Sequence, residues 1–354
     1  MRLQNIDAMN NFGSGTKAGR RTTALSRMGH LQGVQILAIG GSVPEQVIDN
    51  ADLAARNFDP DWIVQRTGIV QRRHAPPHIA TSDLAVEAAE QCIANAGVAP
   101  GDIDLVLVAT CTPDMPMPAT ACLVQQRLGL SALAFDLQAA CAGFIFGLLT
   151  GMQYVATGCS RLALVIGADC HSRVVNPADD QTYPLFGDGA GAVLIAPGSP
   201  NQGMLSYAVG SDGSGADMLC RRMGGSRRPY SPSDGNRGSQ YLFMEGRAVF
   251  KWAIRVLTET IRAVIEDAGV APDDIHLVAL HQANIRIINA AVESLGLDPG
   301  KVLNNLDRLG NTGAASVPLV LVDAQQQGRL HRDDLVLMSG FGGGLAWGTA
   351  LVRW

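Results

Sequence analysis

One phrase occurs twice in this chain, and the repetition limits its folding more than any single motif. AGVAPGDIDLV at Ala96–Val106 returns as AGVAPDDIHLV at Ala268–Val278. Each copy closes a helix-like stretch and precedes a short apolar run. A second pair keeps the same order: FGDGAGAVLI at Phe186–Ile195 and GFGGGLAWGTALV at Gly340–Val352. Two echoes in one order predict a duplicated unit rather than chance reuse of a good helix stop. The expected division is a first half over 31–205 and a second over 206–354. Ligands favour the cleft where such halves meet.

The apolar runs LVLVAT (Leu105–Thr110), LALVIGAD (Leu162–Asp169) and LVLMSG (Leu335–Gly340) read as strands covered on both faces. Between them lie amphipathic stretches such as TSDLAVEAAEQCIANAG, where Thr81 or Ser82 is expected to cap a helix and Gly97 to end it. The alternation is that of an α/β protein. With 354 residues, 47% of them hydrophobic, a large core is available.

Composition removes several functions. The net charge is −5, and Arg20–Arg21, Arg72–Arg73, Arg221–Arg222 and Arg227–Arg228 are short, scattered pairs that read as solvated loops, so no nucleic-acid partner is expected. No apolar run approaches the about 18 residues of a membrane span. Seven cysteines without zinc-type spacing predict neither a disulfide framework nor a metal site, and point to the reducing cytoplasm. Residues 1–30, with GSGTKAGRRTT, lack the apolar core of a secretion signal and read as a mobile extension.

The duplication bears on one cysteine. DLQAACAGF (Asp136–Phe144) puts Cys141 among alanines and glycine after a predicted strand. Alone, this suits a small core residue as well as a nucleophile. In the second half the corresponding turn is GNTGAAS (Gly310–Ser316), which places Asn311 opposite Cys141. Both turns open small-residue helices, whose N-termini favour negative charge and are expected to lower the Cys141 pKa. His281, in LVALHQANIR, stands at a strand's carboxyl end, where α/β proteins bind ligands. His74, His78, His171, His276 and His331 occupy polar contexts and read as surface residues, while His30 belongs to the extension. The glycines of GFGGG (Gly340–Gly344) allow a backbone N–H to join that of Cys141 as an oxyanion hole. No dinucleotide fingerprint or P-loop is present, so no nucleotide cofactor is expected.

AACAGF, HQANIR, GNTGAAS and GFGGGLAWGTALV, with WIVQRTGIVQRR, FGDGAGA and MEGRAVFKWA, closely resemble the motifs of the β-ketoacyl-acyl carrier protein synthase III family, from about Leu31 to Trp354. The resemblance implies the five-layer αβαβα thiolase-like fold of duplicated halves, usually as a homodimer. It implies that Cys141 takes an acyl group from acyl-CoA, and that His281 and Asn311 promote decarboxylation of malonyl-acyl carrier protein. The oxyanion donors would be the N–H groups of Cys141 and Gly343, with Phe341 walling the site. Trp62 and Arg66 match CoA-binding positions, Asn284 a pantetheine-side position and Met117 an acyl-pocket position. Lys251, Arg255 and Arg286 would meet the carrier protein. Two departures stand out: Asp179–Asp180 where the family often has an arginine, and Glu293–Ser294 where well-studied members carry a lysine pair.

The expected activity is therefore decarboxylating condensation that starts fatty-acid synthesis, without a cofactor. A related condensing enzyme that primes a polyketide, quinolone or other secondary pathway is the near alternative. A cysteine hydrolase of acyl-CoA and a non-catalytic partner subunit are more distant ones.

Overall fold

The computed structural model describes residues 26–231 and 238–354. Along the chain the strands are β1 (Ser26–Gln32), β2 (Val34–Ser42), β3 (Val47–Asp49), β4 (Gln71–Arg73), β5 (Leu105–Ala109), β6 (Leu133–Leu137) and β7 (Ala163–Cys170). They continue as β8 (Asp188–Pro197), β9 (Gly203–Ser211), β10 (Leu219–Arg221), β11 (Leu242–Met244), β12 (Leu277–Leu280), β13 (Leu335–Gly342) and β14 (Ala346–Arg353). The helices are α1 (Asn50–Ala54), α2 (Pro60–Thr67), α3 (Thr81–Ala96), α4 (Thr120–Arg127) and α5 (Gly143–Ala156), then α6 (Gly246–Ala268), α7 (Ile285–Leu295), α8 (Leu306–Leu309) and α9 (Ser316–Gln326).

Two mixed five-stranded sheets carry the duplication, in the orders β2-β8-β7-β5-β6 and β1-β9-β14-β13-β12. β5 lies parallel to β7 as β12 lies parallel to β13, and β8 and β14 then pair antiparallel in both halves. A lone parallel bridge between Val278 and Val302 takes the place of β6 in the second half. The repeated AGVAP phrase does the same work twice. Gly97 (φ 66°) ends α3 and Gly269 (φ 65°) ends α6, each in the left-handed conformation, and Pro100 or Pro272 then opens a single 3-10 turn before the next strand.

Burial explains the layering. Every residue of β5, β7 and β13 is buried, as continuous apolar runs between two helical layers should be. One core cluster joins α5 and α9 to the inner faces of both sheets. A second packs α3 and α4 on the outside of the first sheet, and a third packs α6 and α7 on the outside of the other. The result is the expected αβαβα order, with α5 and α9 as the central layer.

Three expectations change. The boundary at residue 30 falls inside β1, which pairs with β9 from Ser26↔Gly210 to Gln32↔Gly203, so 26–32 belong to the second sheet, and the boundary at residue 205 falls inside β9 of that same sheet. Residues 1–25 of the expected extension lie outside the described residues. Neither Thr81 nor Ser82 caps α3. The N-cap is Ala80, whose N–H donates to Asp83 at 2.6 Å, while the Thr81 hydroxyl donates to the Thr112 carbonyl and Ser82 to Asp114. Arg72 is no solvated loop residue: it is fully buried and donates to the carbonyls of Ile48 and Pro184 and to Asn50 Oδ1. Burial pulls its pKa down to about 10. Among the described residues no helix is long and apolar enough to cross a membrane.

Candidate active site

β5 and β6 end beside one another, and the chain leaves β6 into a tight 3-10 turn, Ala140–Ala142, that runs directly into α5. Ala140 holds φ at 46°, a left-handed conformation that costs a non-glycine residue about 1 kcal/mol or more. That turn aims Cys141, 7% exposed, at a cavity of about 420 Å³. The second half supplies the opposite wall. His281 follows β12, Asn311 precedes the 3-10 turn Gly313–Ala315 that opens α9, and Phe341 lies in β13. The matched turns inferred from the repeat thus face one cleft between the halves.

Each polar side chain is oriented by the backbone around it. His281 Nδ1 lies 2.6 Å from Ser316 Oγ, and that oxygen also accepts from the Gln282 N–H at 3.4 Å. The Ser316 hydroxyl is then free to donate to Nδ1, which leaves Nε2–H as a donor into the cavity. Phe341 packs edge-on against the imidazole, with centroids 5.1 Å apart at 77°. Burial, then the neighbouring His171, lowers the His281 pKa to about 3, so the ring is neutral at physiological pH. Asn311 Oδ1 accepts from the Gly313 N–H at 2.9 Å, which turns its amide NH₂ outward. Its backbone is held on both sides, its N–H donating to Leu185 and its carbonyl accepting from Gly187.

The glycine run presses against the Cys141 turn: a Cβ on Gly342 would lie 2.7 Å from the Cys141 nitrogen. Gly342, Gly343 and Gly344 all line the cavity. Thiol acidity departs from expectation. Burial, then the Asp169 carboxylate, push the Cys141 thiol well above its ordinary range and outweigh the opposing backbone N–H. Desolvation wins because the helix N-terminus provides partial charge while the sulfur has lost nearly all its water.

The substrate-binding expectations divide. Asn284 lines the cavity, but its amide is committed: Oδ1 caps α7 by accepting from the Arg286 N–H, and Nδ2 donates to the Arg66 carbonyl at 2.9 Å. This ties α2, with exposed Trp62 and Arg66, to the cavity's edge without placing either side chain inside. Met117 does not line the cavity; it is 84% exposed. Lys251 and Arg255 are exposed on α6, one and two turns past Arg247, and the Arg286 guanidinium lies 5.5 Å from the ring of Phe250, a cavity residue. Arg221, read as a solvated loop residue, lines the cavity as well.

Sequence reasoning missed an inner group. Asp169, at the carboxyl end of β7, is fully buried and accepts from Thr110 Oγ1, the Cys111 N–H and Thr112 Oγ1 on one oxygen, and from the Ala314 N–H on the other. His171 is 3% exposed and His74 8%, so neither is the surface residue that its polar neighbours implied. His171 stacks on Phe186 with centroids 4.9 Å apart and, like Cys111, faces the cavity. The available signal was position: Cys111 lies just past the carboxyl end of β5 and Asp169 at that of β7.

With this geometry in hand, the comparisons are specific. Family models described as 3-oxoacyl-[acyl-carrier-protein (ACP)] synthase III and its C-terminal part match residues 135–213 and 265–354. A β-ketoacyl-[acyl-carrier-protein] synthase III of Rhodopirellula baltica is 52% identical over 345 residues, which cover 92% of this chain and 100% of that protein. The chain belongs to the β-ketoacyl-[acyl-carrier-protein] synthase III family. The solved structure of the Thermus thermophilus synthase III superposes with TM-score 0.85 at 43% identity, covering 90% of this chain and 99% of that one. A priming β-ketosynthase of the R1128 polyketide pathway gives TM-score 0.84 at 32% identity, covering 92% and 98%. As a synthase III family member the chain is an acyltransferase-type condensing enzyme with a thiolase-like fold.

Proposed function

We propose that this enzyme transfers an acyl group from acyl-CoA to Cys141 and condenses it with malonyl-acyl carrier protein, the opening step of fatty-acid synthesis. The observation that carries the reading is the convergence on one cavity of a buried thiol, a neutral imidazole donor and an outward amide. Cys141 sulfur attacks the thioester carbonyl, and its proton leaves with the departing CoA thiol. In the second half-reaction malonyl thioester loses carbon dioxide, and its carbonyl oxygen becomes an enolate. His281 Nε2–H and the Asn311 amide donate to that oxygen without adding charge. The enolate carbon attacks the acyl-cysteine, and the N–H groups of Cys141 and Gly343 receive the tetrahedral oxyanion. Collapse releases the β-ketoacyl thioester and the Cys141 thiolate, which takes up a proton from solvent. No cofactor is needed for these steps.

The basic face of α6 and α7 supports a carrier protein as malonyl donor. Arg247, Lys251, Arg255 and Arg286 surround the end of α6 whose Gly246, Val249 and Phe250 line the cavity. Trp62 and Arg66, exposed on α2 where the Arg66 carbonyl meets Asn284, suit the adenine and phosphates of CoA. A homodimer is supported by β6, an edge strand with Leu133 59% exposed. The acidic-to-neutral Glu293–Ser294 surface and the likeness to a polyketide priming synthase favour, as a second reading, a primer role in a secondary pathway.

Intact-protein mass spectrometry with a panel of acyl-CoAs tests the first step. Cys141→Ser is expected to abolish the acyl adduct, and His281→Ala and Asn311→Ala to acylate yet release no carbon dioxide. An adduct mapped to another cysteine would sink the assignment. The primer accepted best, and its turnover with malonyl-carrier protein against malonyl-CoA, separate the two pathway readings.

A further inference from the structure

Besides Cys141 and His281 the cavity is lined by Cys111, Cys220 and His171, which the condensation does not use. Cys111 Sγ lies 3.6 Å from His171 Nε2. With a carboxylate oxygen of Asp169, one ligand-capable atom from each residue lies within 4.8 Å of the other two. β5 and β7 are parallel neighbours, so their carboxyl ends deliver Cys111 and the Asp169–His171 pair to one place. A tetrahedral zinc with bonds of about 2.3 Å to sulfur and about 2.0 Å to nitrogen separates those atoms by about 3.5 Å. The observed sulfur–nitrogen separation therefore needs almost no adjustment.

The surroundings are built for an added cation. The imidazole is held by its stack on Phe186, which keeps Nε2 turned toward the Cys111 sulfur. Asp169 Oδ2 accepts a hydrogen bond from Ala314 and keeps a lone pair. Gly313 leaves the gap open, since a Cβ there would stand 2.3 Å from Asp169 Oδ2 and 2.2 Å from His171 Cε1. Cys111 and His171 also face the cavity beside Cys141, which provides an entry path and a fourth coordination position. One sulfur, one imidazole and one carboxylate select a borderline-soft divalent ion over magnesium or calcium.

We propose that Cys111, His171 and Asp169 bind a thiophilic divalent cation, zinc in the first instance, and that its presence blocks Cys141. On binding, the Cys111 S–H bond breaks, its proton passes to solvent and a sulfur–metal bond forms, with no change of oxidation state. Thiolate and carboxylate then balance the ion's two positive charges. Positions 111, 169 and 171 lack any zinc-motif spacing, so only the folded chain brings them together. The proposal does not depend on the condensation reading.

Cobalt(II) titration of the metal-free enzyme, followed by absorbance, is the test. A thiolate-to-cobalt charge-transfer band is expected in the wild type and in Cys141→Ser, and zinc is expected to bleach it. Cys111→Ser and His171→Leu should weaken binding by about tenfold or more. Cys159→Ser, which removes an exposed thiol, should leave the band unchanged. Peptide mapping of wild-type enzyme alkylated with iodoacetamide gives a readout that needs no folded variant: zinc should protect Cys111. Zinc should also slow acyl-adduct formation at Cys141 about tenfold or more in the wild type, judged against the same enzyme without zinc. Absence of a band at millimolar cobalt, a band that survives Cys111→Ser, or one lost only in Cys141→Ser would overturn the site.

Discussion

Asp169 Oδ2 accepts the backbone N–H of Ala314 at 2.9 Å, so a carboxylate from the first half fixes the turn that carries Asn311 in the second. Its other oxygen gathers three donors from the segment after β5. One buried charge thereby joins the two copies of the duplicated fold at the active cavity.

Asp169→Asn should therefore do more than remove a charge. The amide NH₂ must face at least one N–H or O–H donor, and a buried donor is left unmatched. A loss of about 3 kcal/mol in unfolding free energy is expected by chemical denaturation. Decarboxylation should fall with it, because the Asn311 turn loses its anchor. Unchanged stability would mean the hydrogen bonds around Asp169 contribute little.

Ser316→Ala removes the partner of His281 Nδ1. The thiol of Cys141 is untouched, so acyl-adduct formation should persist. Carbon dioxide release from malonyl thioester should drop about tenfold, the equivalent of one hydrogen bond of about 1.4 kcal/mol. Ser316→Thr, which keeps the hydroxyl, should recover part of the rate. Equal losses in both half-reactions would show that Ser316 acts on general stability instead.

Acid should destabilise the protein through His281. Its folded-state pKa of about 3 lies below the unfolded value of 6.5, so below pH 6.5 the unfolded chain binds a proton that the folded chain refuses. Stability then falls as the pH drops from 6.5 toward 3, by about 2 kcal/mol between pH 6.5 and 5 for this one group. Burial lowers the His74 pKa also and adds in the same direction. His281→Gln should flatten part of that slope in urea denaturation at successive pH values. A slope identical to wild type would contradict a buried neutral ring.

Gly313→Ala tests the tightest point of the site. Residue 313 has φ 61°, and an added methyl would meet His171 and Asp169 at 2.2–2.3 Å. Strain and overlap together should cost about 2–4 kcal/mol, seen as a lower thermal midpoint. Because the Gly313 N–H orients the Asn311 amide, decarboxylation should fail before acylation does.

Local patterns carried much of this site into the sequence. The repeated AGVAP phrase encodes a left-handed helix stop, a proline-led turn and a buried strand, and all three form from near neighbours in the chain. The matched turns after the strands placed Cys141 and Asn311 on opposite walls, and the strand end placed His281, because sheet topology follows strand order. Partners from distant segments were not legible. His171 looks polar in sequence, yet its surroundings come from Phe186 and Cys111. Met117 was expected in the acyl pocket, but it stands exposed outside the cavity that Cys141 lines.

The sequence by itself determined the duplicated architecture, since its repeated phrases encode their turns and strands from near neighbours, and it singled out Cys141, His281 and Asn311 as the proposed reacting groups. Tertiary structure alone decided their ionisation and orientation. Cys141 has a raised pKa despite its helix N-terminus because packing strips water from the sulfur and sets Asp169 near it. His281 is neutral, with Nδ1 held by Ser316, because burial disfavours the imidazolium and the α9 backbone brings that hydroxyl to 2.6 Å. Solvation and charge depend on everything that surrounds an atom, and that environment exists only in the folded chain.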